Sequence, residues 1–162
     1  MTGDLDLQSP TVTLFGVHDA LDSALSDELA RRGRSTHSVS TPVGWLSSST
    51  QAVVRLDTLS GDLAMRDLLA RDIAPSHVVA VCEEPSDSAT SSRIEELCRR
   101  GGAQHEISLL WHAPFVIPPL GSVDGSAPTP ADLASAIADE VGRQHEHVSH
   151  ASYVSQVFDA HR

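Results

Sequence analysis

The run Thr11–Leu29, TVTLFGVHDALDSALSDEL, constrains the fold of this chain more than any other stretch. Thr11–Phe15 mixes β-branched and aromatic residues and predicts a buried strand. Gly16 follows, and then Leu21, Ala24, Leu25 and Leu29 recur at helical spacing. A strand that turns into a helix at a glycine is how a dinucleotide-binding βαβ unit begins. This turn has a single glycine, Gly16. Where a phosphate-binding turn would place two more, the chain has Asp19 and Asp22.

At 162 residues the chain is long enough for one domain with a substantial core. Aromatic residues are scarce, so that core must be built from Leu, Val and Ala. The net charge of -11 opposes binding to phosphate backbones and anionic lipid, which excludes nucleic acid and membrane surfaces as expected partners. All 11 basic residues are arginine. The chain therefore has no lysine to act as a Schiff base, phosphate ligand or proton relay. Cys82 and Cys98 fit neither a disulfide framework nor a zinc motif and read as free buried thiols. With no signal peptide or spanning helix in the sequence, the expectation is a cytoplasmic protein.

Residues 1–10 read as a polar tail, 11–142 as the folded domain, and 143–162 as a linker and C-terminal amphipathic helix. Within the domain, Arg31-Arg32-Gly33 predicts a helix stop. Ser35–Ser40 and Gln51–Leu56 predict strands, with a serine-rich loop at 42–50 between them. Gly61-Asp62 predicts the start of a helix that ends before Pro75. His77–Cys82, HVVAVC, predicts a central strand of a parallel sheet. Residues 83–92 read as loop, Ser92–Arg100 as helix, Glu106–Trp111 as strand and 112–128 as a proline-rich loop. Thr129-Pro130, with Asp132 in the first turn, predicts a helix start. Strands alternating with helices predict an α/β fold, a Rossmann-like three-layer sandwich around a mostly parallel sheet of about five strands.

The order of these pieces resembles the short-chain dehydrogenase/reductase family, in its extended form that includes NAD-dependent epimerases and dehydratases. The opening is similar to that family's strand, Gly-x-x-Gly-x-x-Gly turn and helix. The resemblance casts Asp57, after the third strand, as the acidic residue that contacts adenine. HVVAVCEEP at 77–85 is similar to the strand beside the nicotinamide. LLWHAPFVIPP at 109–119 and PADLASAI at 130–137 resemble the later strand, substrate loop and following helix. The family's catalytic tyrosine and lysine, four apart on one helix, would fall on Ala89 and Arg93. Alanine transfers no proton, and an arginine that stays charged is no proton relay. The one tyrosine, Tyr153, lies near the C-terminus. In the turn, Asp19 and Asp22 suit the positive end of the helix dipole but occupy the place of a pyrophosphate. NAD(P) binding in the usual pose is therefore not expected, and no cofactor is assigned.

Three further groupings carry possible chemistry. His145, His147 and His150 have spacing that could hold zinc or nickel, with Glu146 between them; the alternative is a solvated linker. Asp19, Asp22, Glu83 and Glu84 could converge at the carboxyl ends of the strands and hold Mg²⁺ or a cationic ligand. His18 and His112 could reach the same mouth as acid or base. No Gly-x-Ser-x-Gly elbow supports a hydrolase. The leading expectation is a non-catalytic accessory or structural subunit acting through protein contacts. Its partner would be a second copy or a larger, catalytically intact relative. Tyr153, Val154, Val157 and Phe158 form the expected contact stripe. The alternatives are a nucleotide- or nucleotide-sugar-binding protein with a shifted ligand pose, and a metal-dependent site at the acidic crevice or histidine cluster.

Overall fold

The computed structural model describes residues 11–17, 20–39, 51–70, 77–85, 87–113, 129–146 and 152–158. The expected opening is present: β1 (Thr11–Phe15) runs into α1 (Ala20–Arg31). Leu21, Leu25 and Leu29, four apart, turn one face of α1 into the core. The helix ends in a Schellman turn at Gly33, whose φ of 80° favours glycine. Arg34 N–H donates to the Leu29 carbonyl at 2.9 Å, and Gly33 N–H to the Ala30 carbonyl at 3.0 Å. The remaining elements are β2 (Ser35–Val39), β3 (Gln51–Arg55), α2 (Leu59–Ala70), β4 (His77–Glu83), α3 (Ser88–Gly101), β5 (Glu106–His112), α4 (Pro130–Glu146) and β6 (Ser152–Val157). The tail at 1–10, the serine-rich loop and most of the proline-rich loop lie outside the described residues.

Caps fix the helix starts. The predicted start of α4 holds: Asp132 N–H donates to Thr129 Oγ1 while Thr129 N–H donates to the Asp132 carboxylate, both at 3.2 Å. Two other helices begin earlier than their apolar spacing predicts. Thr58 caps α2 by accepting from Gly61 N–H at 3.1 Å. Asp87 caps α3 by accepting from Thr90 N–H at 2.6 Å, which draws the serine-rich stretch before Arg93 into the helix. Hydrogen bonds from the Thr90 N–H and hydroxyl favour the ionised cap, and the Asp87 carboxyl lies below its ordinary range, chiefly through the Thr90 N–H.

The six strands form one all-parallel sheet in the order β2-β1-β3-β4-β5-β6. This is the expected Rossmann-like α/β sandwich with one strand more than predicted. The extra strand corrects the reading of the C-terminal segment as a helix. Ser152–Val157 is β6, paired along β5 from Glu106↔Ser152 to Trp111↔Val157. Phe158 N–H extends the ladder to the Trp111 carbonyl at 2.7 Å.

Alternate residues of the central strands feed two cores, so these strands read as continuous apolar runs. Val78, Ala80 and Cys82 of β4 face α2 and α3, together with Ile107 and Leu109 of β5. Val79 and Val81 face the other way, toward Leu21 and Leu25 of α1 and Leu133 and Ile137 of α4. This placement sets the hand of the four crossovers whose helices are described. From β1, α1 leads to β2 on one side; α2 and α3, on the opposite face, lead the other way, so all three share one hand. Because α4 lies on the α1 face yet leads from β5 outward to β6, its crossover has the opposite hand. Parallel crossovers are right-handed in about 98% of cases, which makes the β5–α4–β6 crossover the left-handed one.

Buried polar bonds hold this last unit in place. Glu140 of α4 accepts from Ser108 Oγ of β5 at 2.8 Å and from Gln156 Nε2 of β6 at 2.9 Å, and pairs with Arg143. At the next residue of α4, the Val141 carbonyl accepts from Gln51 Nε2 of β3 at 2.9 Å. On the exposed side Arg32, in the turn just after α1, pairs with Asp139 at 2.6 Å.

Candidate functional site

In an open parallel sheet, ligands bind outside the carboxyl ends of the strands, where the chain reverses its direction of travel. Here that point lies between β1 and β3. The chain leaves β1 through Gly16 at φ 79°. A Cβ on Gly16 would stand 2.1 Å from Thr58 Oγ1 and 3.2 Å from Gly61 N, so the turn after β3 lies directly against the Gly16 backbone. That turn is internally braced. Thr58 Oγ1 donates to the Arg55 carbonyl at 2.7 Å. A Cβ on Gly61 would stand 1.9 Å from the Arg55 carbonyl oxygen. The buried Arg55 guanidinium pairs with Asp57 at 3.0 Å. The two turns thus interlock at the point where the fold would admit a ligand.

The residues assigned to the cofactor turn are separated. Asp22 accepts from the Ser38 hydroxyl at 3.2 Å and so stitches α1 to β2. Asp57 pairs with Arg55 at the end of β3, on the far side of β1 from β2. Asp19 and His18 lie outside the described residues. His112 corrects the expectation of a histidine at the mouth: it is fully buried, and its Nδ1 donates to the Ala113 carbonyl at 2.8 Å.

One strand beyond the interlock, a cleft of about 390 Å³ opens between the turns after β3 and β4. Leu56, Cys82 and Ile94 form its apolar part, and Asp57, Asp62, Glu83 and Glu84 bring carboxylates. Glu83 and Glu84 therefore meet Asp57 and Asp62, and not Asp22 as expected. Asp62 pairs with Arg66 at 2.9 Å, and Arg93 also lines the cleft. No group of three or more side chains among the described residues is arranged to hold a metal ion. Burial pushes the Cys82 thiol up to about 12, with Asp57 and Glu83 adding to it, so it rests protonated and is a poor nucleophile. Cys98 is likewise free and buried, and is raised to about 12 by burial first.

The side chains of His145, His147 and His150 lie outside what the structure describes. The expected contact stripe is divided across β6, because strand residues alternate between faces. Tyr153 packs half-buried against the α2–α3 core, with the Arg99 guanidinium carbon 6.0 Å from its ring centroid. Burial raises its phenol above the usual range. Phe158 packs against the α1–α4 core on the opposite face. Val154 and Val157 stay 54% and 62% exposed.

Of the interlocking residues Arg55, Thr58 and Gly61, the sequence marks Gly61 alone, and only as the start of a helix. The available signal was a threonine three residues before Gly61 at a strand end, an N-cap pattern. No protein-family model matches this chain, and no curated protein or solved structure matches it either. No helix among the described residues is long and apolar enough to cross a membrane.

Proposed function

We propose that this chain is a non-catalytic accessory or structural subunit that works through protein–protein contact, on a degenerate short-chain-dehydrogenase-like scaffold. The observation that carries the reading is the packing of Thr58 against Gly16. A ligand at the switch point would have to displace a braced, hydrogen-bonded turn before it met the β1 end. The composition agrees, because a chain without lysine cannot supply the family's tyrosine–lysine couple. For contact, β6 offers a sheet edge with Val154 and Val157 exposed and no charged residue from Ser152 to Val157. Among the described residues no strand pairs with the outer edge of β6, and an edge of this kind is a template for a partner strand.

The test is light scattering on the full chain, alone and with candidate partners, comparing the native chain with Val154→Asp/Val157→Asp. A dimer or complex that the double substitution dissolves supports the reading. A native chain that stays monomeric and captures no partner counts against it.

A second reading, a nucleotide sugar held in a shifted pose, is favoured by the cleft between the turns after β3 and β4. Arg66 and Arg93 would be the groups that meet its diphosphate. The four carboxylates on the same walls oppose that pose, and so it ranks second.

A further inference from the structure

β6 is exposed on both of its faces: Val154 on the α4 side, Ser155 and Val157 on the α3 side. Its main chain has a fixed orientation. Phe158 N–H turns inward to the Trp111 carbonyl. Successive residues of a strand turn their N–H and C=O groups to alternate sides, so those of Tyr153, Ser155 and Val157 turn outward.

Charges of opposite sign stand at two levels along this edge. At the level of Tyr153, the Arg99 guanidinium of α3 lies 6.0 Å from the ring centroid. At the level of Val157, the register partner of Trp111, a groove of about 260 Å³ is lined by Glu84, Pro85, Ser91, Glu95 and Trp111. Neither Glu84 nor Glu95 makes an ion pair with a described residue. Arg99 pairs with Glu96, but both side chains are exposed, so that pair is worth little and is readily exchanged.

We propose that the partner at this edge is β6 of a second copy, paired antiparallel about a two-fold axis that passes through Ser155 perpendicular to the sheet. This pairing presupposes the protein-contact reading and names the partner. Outward main-chain groups must face outward groups, so odd-numbered residues oppose odd-numbered residues. Ser155 then faces its own copy, and Tyr153 faces Val157 of the partner subunit, an aromatic–β-branched pair that favours sheet pairing. The two-fold exchanges the level of Tyr153 with the level of Val157. It therefore carries Arg99 of each copy to the acidic groove of the other, beside Glu95. The two copies of β5 lie three strand spacings apart, about 14 Å. Because α3 rests on both β5 and β6, its two copies run roughly 10–14 Å apart, a gap that an arginine and a glutamate bridge together. A slip of two residues in register would move Arg99 roughly 7 Å from that groove. In a chain of net charge -11, the uncharged run Ser152–Val157 is also where a second copy approaches with least repulsion.

Light scattering on the full chain over a concentration series reads the dimer. Glu95→Arg alone and Arg99→Glu alone should each raise the dimer Kd about tenfold or more, because each sets like charges together at both symmetry-related contacts. An equimolar mixture of the two variants should restore native affinity, since both contacts of the mixed dimer join arginine to glutamate. Ser155→Cys should form a disulfide-linked dimer under mild oxidation, as Cα atoms of a directly opposed hydrogen-bonded pair lie about 5.5 Å apart. Charge reversals without rescue in the mixture, or a Ser155→Cys chain that does not cross-link, would overturn the pairing. A native dimer that Val154→Asp/Val157→Asp dissolves but neither charge reversal weakens would overturn it and leave the contact reading standing. So would a chain that is monomeric alone and binds a different partner through the same edge. A monomer that binds nothing would overturn both.

Discussion

Gly16 and Gly33 share a positive φ, 79° and 80°, but not an environment. A Cβ at Gly33 meets nothing within 4 Å, whereas one at Gly16 meets Thr58 Oγ1 at 2.1 Å. Gly33→Ala should therefore cost only backbone strain, about 1–2 kcal/mol. Gly16→Ala should cost that and the clash as well, and urea denaturation of the two variants checks the order. Equal losses would mean that the turn after β3 yields easily, which would weaken the case for a closed switch point. His105 sets a pH dependence. It is 1% exposed, and burial lowers its pKa below the ordinary 6.5. The unfolded chain thus takes up this proton first. Its contribution to stability is complete above pH 6.5 and is lost as the pH falls through the lower folded value. In His105→Gln the fall in urea midpoint between pH 7.5 and about pH 5 should be shallower than in the native chain.

At the scale of elements, the left-handed β5–α4–β6 crossover is the least common feature of the fold, and Glu140 is its main fastener. Its carboxylate joins Ser108 on β5 and Gln156 on β6, with Arg143 on its own helix. Glu140→Ala leaves the Ser108 hydroxyl without that partner in a buried site, at a cost of about 1–3 kcal/mol. The expected signature is regional: faster amide exchange in β6 and the end of α4, with β1, β3 and β4 little changed. Uniform acceleration across the sheet would show instead that β6 unfolds only with the whole domain. Glu140→Gln keeps the acceptor for Ser108 and should lose less.

For the molecule as a whole, the ligand question has a direct measurement. A ligand present at about 100 times its Kd stabilises the native state by roughly 2.7 kcal/mol. Thermal unfolding with NAD, NADP, ATP and UDP-sugars should leave the melting temperature unchanged if the Gly16–Thr58 interlock keeps the switch point closed. A rise with NAD or NADP would reverse the ranking of the two functional readings. A rise with a UDP-sugar that Arg93→Ala removes would place that ligand in the cleft between the turns after β3 and β4.

Local chemistry in the sequence determined a great deal. The apolar runs of β3, β4 and β5, the four-residue spacing of α1, the Gly33 stop and the Thr129-Pro130 start are short-range patterns, and each appears as expected. The α/β class follows from their alternation. Tertiary structure decided the rest, because the deciding partners are distant in the chain. Val154, Val157 and Phe158 have a spacing a helix would also satisfy; β5 made that segment a strand by offering its unpaired edge. Asp22 follows β1 and Glu83 ends β4, yet one bonds to β2 and the other lines a cleft beyond β3. The closure of the switch point depends on Gly16 and Thr58, 42 positions apart in the sequence (58 − 16). No local pattern encodes such a contact, since it forms only when parallel pairing brings the two strand ends together.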